Sequence, residues 1–272
     1  MYLATLPWYD LREIHSASDL FWTHLARNLR HRGFFRVPLS LKRYGSYRDP
    51  WISGRLLFSQ ACGYHVLLSY PSHLKMLATP VYRAPGCRGS NYSSFVVVHK
   101  DSAVESLEEL RGARCVINEM TSHSGMYALR SMIAPLHENG RFFSEVSVSG
   151  SHEGGLQSIA AQTTDVAAID CIVYELIRRH RPKALSHVRL LCRTAYMPAP
   201  PYVTGSQLSD EEAEVVVDAL VETLNEPAMG PVKELLLLER VERVPWSAYQ
   251  PIARLEQQAL EFGYEDLACV GS

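Results

Sequence analysis

Apolar positions along the chain switch repeatedly between short runs and helical spacing, and that switching predicts an α/β protein. Leu3 to Pro7 is a short apolar run expected to form a strand. From Ser18 to Arg32, Leu20, Phe21, Leu25 and Leu29 recur at helical spacing behind a Ser/Asp start, so a helix follows. Further strands are expected at Phe34 to Leu39, Tyr64 to Leu68 and Lys75 to Val81, with a helix over Pro50 to Ala61. Ser94 to Lys100 is a strong strand, Val104 to Leu110 a short helix and Arg114 to Ile117 another strand. The pattern continues with a helix from Ser124, a strand at Glu145 to Val148, a helix from Gly155, a strand at Val166 to Ile169, a helix at Cys171 to Arg179 and a strand at Val188 to Cys192. After the Pro-rich stretch from Met197 to Tyr202 the chain reads as helical at Ser209 to Asn225, Met229 to Leu238 and Tyr249 to Glu261.

This order describes an incomplete α/β half, a complete one, and a helical tail that returns to the first. Residues 1–90 with 200–272 are expected to form one Rossmann-like lobe and residues 91–199 the other. Two crossings, near Gly89 to Ser93 and Thr194 to Pro201, would form a hinge. Folds of this kind bind ligands in the cleft between lobes, often with closure.

Composition narrows the function. A chain of 272 residues with 47% hydrophobic content and 21% charged residues has enough apolar surface for one large or two modest cores. Its formal net charge is −2 and it has no Lys/Arg block, so the global footprint of a nucleic-acid binder is missing. No run of about 18 apolar residues predicts membrane insertion. The start, Met-Tyr-Leu-Ala-Thr-Leu-Pro-Trp, lacks the pattern of a secretory leader. As written the chain is expected in the cytoplasm, or in the periplasm if it is a mature or truncated form. Cys62, Cys87, Cys115, Cys171, Cys192 and Cys269 are scattered without zinc-ligand spacing and read as small packed residues. Asp10, Glu13 and His15 have no partner at metal-ligand spacing and are assigned structural use. No metal or cofactor is expected.

The richest local chemistry lies in Asn118 to Arg130, where a strand end passes through a hydroxyl-bearing turn into a helix. The first N–H groups of a helix are unpaired and lie at the positive end of its dipole, so this turn favours phosphate or carboxylate. Thr121, Ser122 and Ser124 add donors, and Gly125 allows close backbone approach. The plainer reading is an ordinary helix cap. His152 can donate to an anion or bond its own turn. Asp170 ends an apolar strand, where α/β proteins place ligand-facing groups, and is equally suited to cap the next helix. Trp8, Tyr9, Trp51 and Tyr92 are candidates for aromatic cleft walls or for core packing. The amide of Gln60 either reaches the cleft or caps a helix end.

Taken together, Leu6-Pro-Trp-Tyr-Asp10, Leu56 to Tyr64, Gly86 to Tyr92, Asn118 to Arg130, Ser149-Gly-Ser-His152, Asp165 to Asp170 and Pro200 to Thr204 resemble the phosphate/phosphite/phosphonate substrate-binding proteins of ABC transporters. The resemblance spans most of the chain and implies the type 2 periplasmic-binding-protein architecture. It places Ser122, His123 and Ser124 at the ligand's anionic oxygens, and carries over His152, Asp170 and an aromatic at Tyr92. His123 departs from the Thr or Gln usual within that turn. The stretch Ala195 to Pro201 lacks the acid that amine-recognising members offer, so an aminoalkylphosphonate is not implied. The expected partners are a small oxyanion and an ABC permease, with no nucleic acid. An enzyme acting on a small anion from the same scaffold, with His152 and Asp170 as acid and base, and a cytoplasmic ligand sensor are the alternatives.

Overall fold

The computed structural model describes residues 1–43, 45–265 and 267. Cys269 lies outside them. The chain divides into two compact units: residues 1–83, 88–91 and 198–249 form the first, and residues 84–87, 92–197 and 250–272 the second.

The first unit is built on a five-stranded mixed sheet ordered Leu3–Ala4, Leu56–Gln60, Tyr202–Gly205, Leu74–Tyr82, Leu238–Glu242. Leu3–Ala4 runs parallel to Leu56–Gln60, and Tyr202–Gly205 runs antiparallel to the strands on both its sides. All five residues of Leu56–Gln60 are buried, as befits a strand covered on both faces. The helix His15–His31 lays Phe21 and Trp22 on the Phe58 ring, and Phe21 also stacks on Tyr202. The helix Asp210–Asn225 packs beside it and begins with a reciprocal capping box between Ser209 and Glu212.

The second unit carries another mixed five-stranded sheet, ordered Val188–Arg193, Ser94–His99, Val166–Asp170, Arg114–Ile117, Glu145–Val148. Arg114–Ile117 is parallel to both of its neighbours, so three strand ends point the same way. Ser94–His99 is antiparallel to Val166–Asp170 and to Val188–Arg193. The helices His152–Ala160 and Cys171–His180 pack on this sheet. Cys115 and Cys171 are buried, matching the packing reading.

Four local expectations are corrected. Phe34 to Leu39 is a turn: Phe34 and Val37 are buried while Phe35 and Leu39 are 92% and 84% exposed, a spacing that does not alternate in the way of a strand. The helix expected over Pro50 to Ala61 stops at Ile52, Gly54 takes a φ of 66°, and the strand Leu56–Gln60 follows. Tyr64 to Leu68 is not a strand; His65–Ser69 forms a wide helical turn. The helix from Met229 ends at Leu235, and Leu238–Glu242 is an edge strand.

The tail also differs from expectation. The helix Trp246–Glu261 leaves the first unit after Tyr249, so the chain passes between units at a third place, and residues 250–272 group with the second unit. Polar anchors hold it there. The Arg130 guanidinium, 3% exposed, donates to the carbonyls of Tyr264, at 2.8 Å, and Glu265. His137 Nε2 donates to the Phe262 carbonyl at 2.6 Å, and its ring stacks on Tyr264.

Candidate functional site

Three parallel strands of the second unit, Glu145–Val148, Arg114–Ile117 and Val166–Asp170, end on the same side, and the candidate residues lie at or just beyond their carboxyl ends. Cys115 to Ile117 are buried, so the chain can turn only after Asn118. It then enters a wide helical turn, His123–Tyr127, which continues into the helix Ala128–Ile133 and packs against Val166–Asp170. Ser122 caps it, its hydroxyl accepting from the Gly125 N–H at 3.1 Å. The capping reading therefore holds for Ser122.

The polar groups form a chain. Ser122 Oγ lies 3.4 Å from Ser124 Oγ, which lies 3.0 Å from His152 Nε2. Ser122, His123 and Ser124 are all buried. His152 is brought in by the next strand end: Ser151 caps the helix His152–Ala160 by accepting from Gly154 N–H, which fixes the first helical residue beside Ser124. The Tyr92 ring, 2% exposed, stands 6.0 Å from the His123 ring. Asp170 accepts from Ile172 N–H at 2.7 Å and Val173 N–H at 3.3 Å, so it is the N-cap of Cys171–His180 at the end of the third strand.

Gly125 is explained by close packing. A Cβ there would lie 1.8 Å from Asn118 Oδ1 and 3.2 Å from His152 Cε1. Asn118, which the sequence reading did not single out, thus sits on the glycine at the centre of the site. Its position directly after an apolar strand was the available signal. Asn118 Oδ1 and His123 Nδ1 are buried with no hydrogen-bond partner among the described residues, a costly state that a polar ligand would relieve.

None of these residues carries a permanent positive charge. Burial pushes the His123 imidazole down to about 4, and burial does the same to His152, against the opposing pull of the Ala168 backbone carbonyl. Both rings are neutral at pH 7, so this cluster offers dipoles and hydroxyls rather than positive charge.

The remaining candidates belong to the first unit. Trp51 is a core residue: it is 1% exposed, its Nε1 donates to Ser59 Oγ at 3.0 Å, and it packs with Leu56, Val66 and Val203. The wall role is withdrawn for it. Gln60 ends a strand rather than a helix, and its Nε2 donates to the Tyr82 hydroxyl and the Pro200 carbonyl, both at 2.9 Å. Tyr9 has a φ of 62°, unusual for a bulky residue, and meets Tyr82 edge-on. Asp10 accepts from Arg43 Nε at 2.5 Å, which gives it a structural use. Among the described residues no group of three His, Cys, Asp or Glu side chains is placed to hold a metal, and no helix is long and apolar enough to cross a membrane.

Comparison with solved structures gives the same fold repeatedly. The binding-protein component of an ABC phosphonate transporter from Pseudomonas aeruginosa (PA3383) superposes with a TM-score of 0.75 at 16% identity, covering 100% of this chain and 90% of that one. PhnD1 from Prochlorococcus marinus, in complex with methylphosphonate, gives 0.75 at 15% identity over 96% and 98% of the two chains. XAC2383 from Xanthomonas citri, bound to ATP, gives 0.72 at 15% identity, with the same two coverages. No curated protein sequence matches the chain. The model of one family, described as the phosphonate periplasmic substrate-binding protein of ABC transporters, matches residues 3–249. Over nearly its whole length, then, the chain belongs to the substrate-binding proteins of ABC phosphonate transporters.

Proposed function

We propose that this chain captures a small phosphorus oxyanion, with Ser122, His123, Ser124 and His152 meeting the ligand's oxygens, and delivers it to an ABC permease from the periplasmic side. The observation that carries this reading is the Ser122–Ser124–His152 chain of polar groups at a helix N-terminus, beside buried polar atoms of Asn118 and His123 that lack partners among the described residues. Family membership supports the ligand class, as does the methylphosphonate complex of PhnD1. Tyr92 supplies aromatic contact to the organic part. Because the donors are uncharged and Asp170 lies at an adjoining strand end, the ligand is taken as a protonated, singly charged form. A buried site that already holds the Asp170 carboxylate would desolvate a second full negative charge at high cost.

A serine hydroxyl 3.0 Å from an imidazole nitrogen is also the spacing of a nucleophile and its base. Binding is favoured over catalysis because a ring held at about 4 is a poor general base at neutral pH. The test is thermal stabilisation across phosphate, phosphite, methylphosphonate, aminoethylphosphonate, sulfonates and small carboxylates. A selective response to phosphorus oxyanions, with the ligand recovered unchanged after long incubation, is expected. A flat phosphorus panel would overturn the ligand class, and conversion of the ligand would overturn the assignment to binding.

A further inference from the structure

Cys87 and Cys171 lie in the second unit with their sulfurs 3.6 Å apart, in van der Waals contact. Both are free thiols. They are 84 residues apart in the sequence, and the fold takes specific trouble to bring them together. Gly86, one residue before Cys87, has a φ of 92°, and a Cβ on it would lie 2.7 Å from Cys171 Cβ. The backbone beside Cys87 is therefore pressed directly against the Cys171 side chain, and only glycine fits there. Backbone and side-chain bonds fix this contact: Ser93 N–H and Ser93 Oγ both donate to the Gly86 carbonyl, at 3.0 Å and 2.9 Å, and Cys171 N–H donates to the Ser93 carbonyl at 3.1 Å. Cys171 is the first residue of its helix and follows the cap Asp170.

From this juxtaposition we propose that Cys87 and Cys171 are a redox pair, which a small-molecule disulfide oxidises to an intramolecular disulfide that fastens residues 84–87 to the start of the helix Cys171–His180. Closing the bond needs the sulfurs to move from contact to about 2.0 Å, a distance that side-chain rotation can cover. Cys87 is half-buried and Cys171 fully buried, so Cys87 is the entry point. Its thiolate, after losing a proton to solvent, attacks one sulfur of the reagent and expels one reagent thiolate, leaving a mixed disulfide. Cys171 then gives up its proton to that expelled thiolate or to water and attacks Cys87 Sγ, releasing the second reagent thiol. The protein loses two electrons and the reagent gains them. The contact with the Cys87 thiol and burial raise the Cys171 thiol well above the ordinary range; burial persists once Cys87 carries the mixed disulfide and makes this second step the slow one.

The inference does not depend on the identity of the ligand. Its test is incubation of the folded full chain with oxidised glutathione, followed by alkylation and peptide mapping without reduction. The expected product is a peptide pair joined through Cys87 and Cys171, together with a melting temperature raised by several degrees and restored by dithiothreitol. The Cys87→Ser variant should lose both the cross-link and the shift, and Cys171→Ala, checked for folding by circular dichroism, should stop at the mixed disulfide on Cys87. Recovery from the wild-type chain of only glutathione-modified Cys87, or of two free thiols that react once the protein is unfolded, would overturn the proposal.

Discussion

At the scale of single residues, Ser124 is the most exposed to test. Its hydroxyl is buried, touches Ser122 and His152, and has no structural duty as a cap. Replacing it with Ala should therefore spare the fold and weaken methylphosphonate or phosphate binding by about 1–3 kcal/mol, roughly 5- to 150-fold in Kd, as read by calorimetry. Unchanged affinity would remove Ser124 from the site. The two buried imidazoles make a second prediction. Unfolded rings take up protons below their ordinary value of 6.5, whereas the folded His123 and His152 stay neutral down to about 4. Unfolding is thus coupled to proton uptake in that window, and stability of the unliganded protein should fall as the pH drops from 6.5 towards 4, by on the order of 3 kcal/mol per ring, and be insensitive to these rings at higher pH. Thermal melts of the His152→Gln variant should show a shallower acid slope than the wild type. The hydroxyl turn, Gly125, His152 and Asp170 were legible as candidates because residue type before a helix carries its own chemistry. Asn118 was not, since its role depends on a glycine seven residues later whose space it fills. Trp51 was misjudged for the opposite reason: an indole looks the same in a sequence whether it lines a wall or fills a core.

At the scale of elements, one carboxylate gathers several of the polar contacts that join the helices His15–His31 and Asp210–Asn225. Glu226, just past the second helix, accepts from Arg27 Nη2 at 2.6 Å and Asn28 Nδ2 at 2.7 Å, and lies 2.5 Å from His24 Nδ1. Desolvation pushes this carboxyl up, but the donors of Arg27, Asn28 and His24 together outweigh it and hold it at about 2. Its folded value is below its ordinary one, so its contribution is complete above about pH 4.5 and is lost as the pH falls towards 2. Glu226→Gln should cost roughly 1–2 kcal/mol at pH 7 in urea unfolding, and the gap to wild type should narrow by pH 3. The strands of the second unit were readable almost to the residue, because Arg114–Ile117 and Glu145–Val148 are short apolar or alternating runs between clear turns, whereas the helix expected over Val104 to Leu110 is only a short turn at Glu108–Leu110. The strand Leu238–Glu242 was hidden in a leucine run. Leu237 takes a φ of 55°, the conformation in which glycine usually ends a helix, so the stop carries no sequence signal.

At the scale of the whole molecule, neither unit is a single stretch of chain. The first sheet places Tyr202–Gly205 between Leu56–Gln60 and Leu74–Tyr82, although more than a hundred residues separate it from either. The five strands of the second sheet, by contrast, all lie between Ser94 and Arg193. A chain emerging from the ribosome therefore holds every strand of the later sheet while the earlier one still lacks its middle. Until residue 205 appears, Leu56–Gln60 and Leu74–Tyr82 have open edges facing each other across the missing strand, the arrangement most prone to pairing with the wrong chain. The amino-terminal strands Leu3–Ala4, Leu56–Gln60 and Leu74–Tyr82 must wait for the carboxyl-terminal third, reversing the usual order of synthesis and folding. Pulse-labelled hydrogen exchange during refolding should show protection in Ser94–His99, Arg114–Ile117 and Val166–Asp170 before Leu56–Gln60 and Leu74–Tyr82. Simultaneous protection of both sheets would mean that sequence distance sets no order here. If the order holds, the unit that carries the Ser122–Ser124–His152 cluster is folded before the sheet of the other unit is complete.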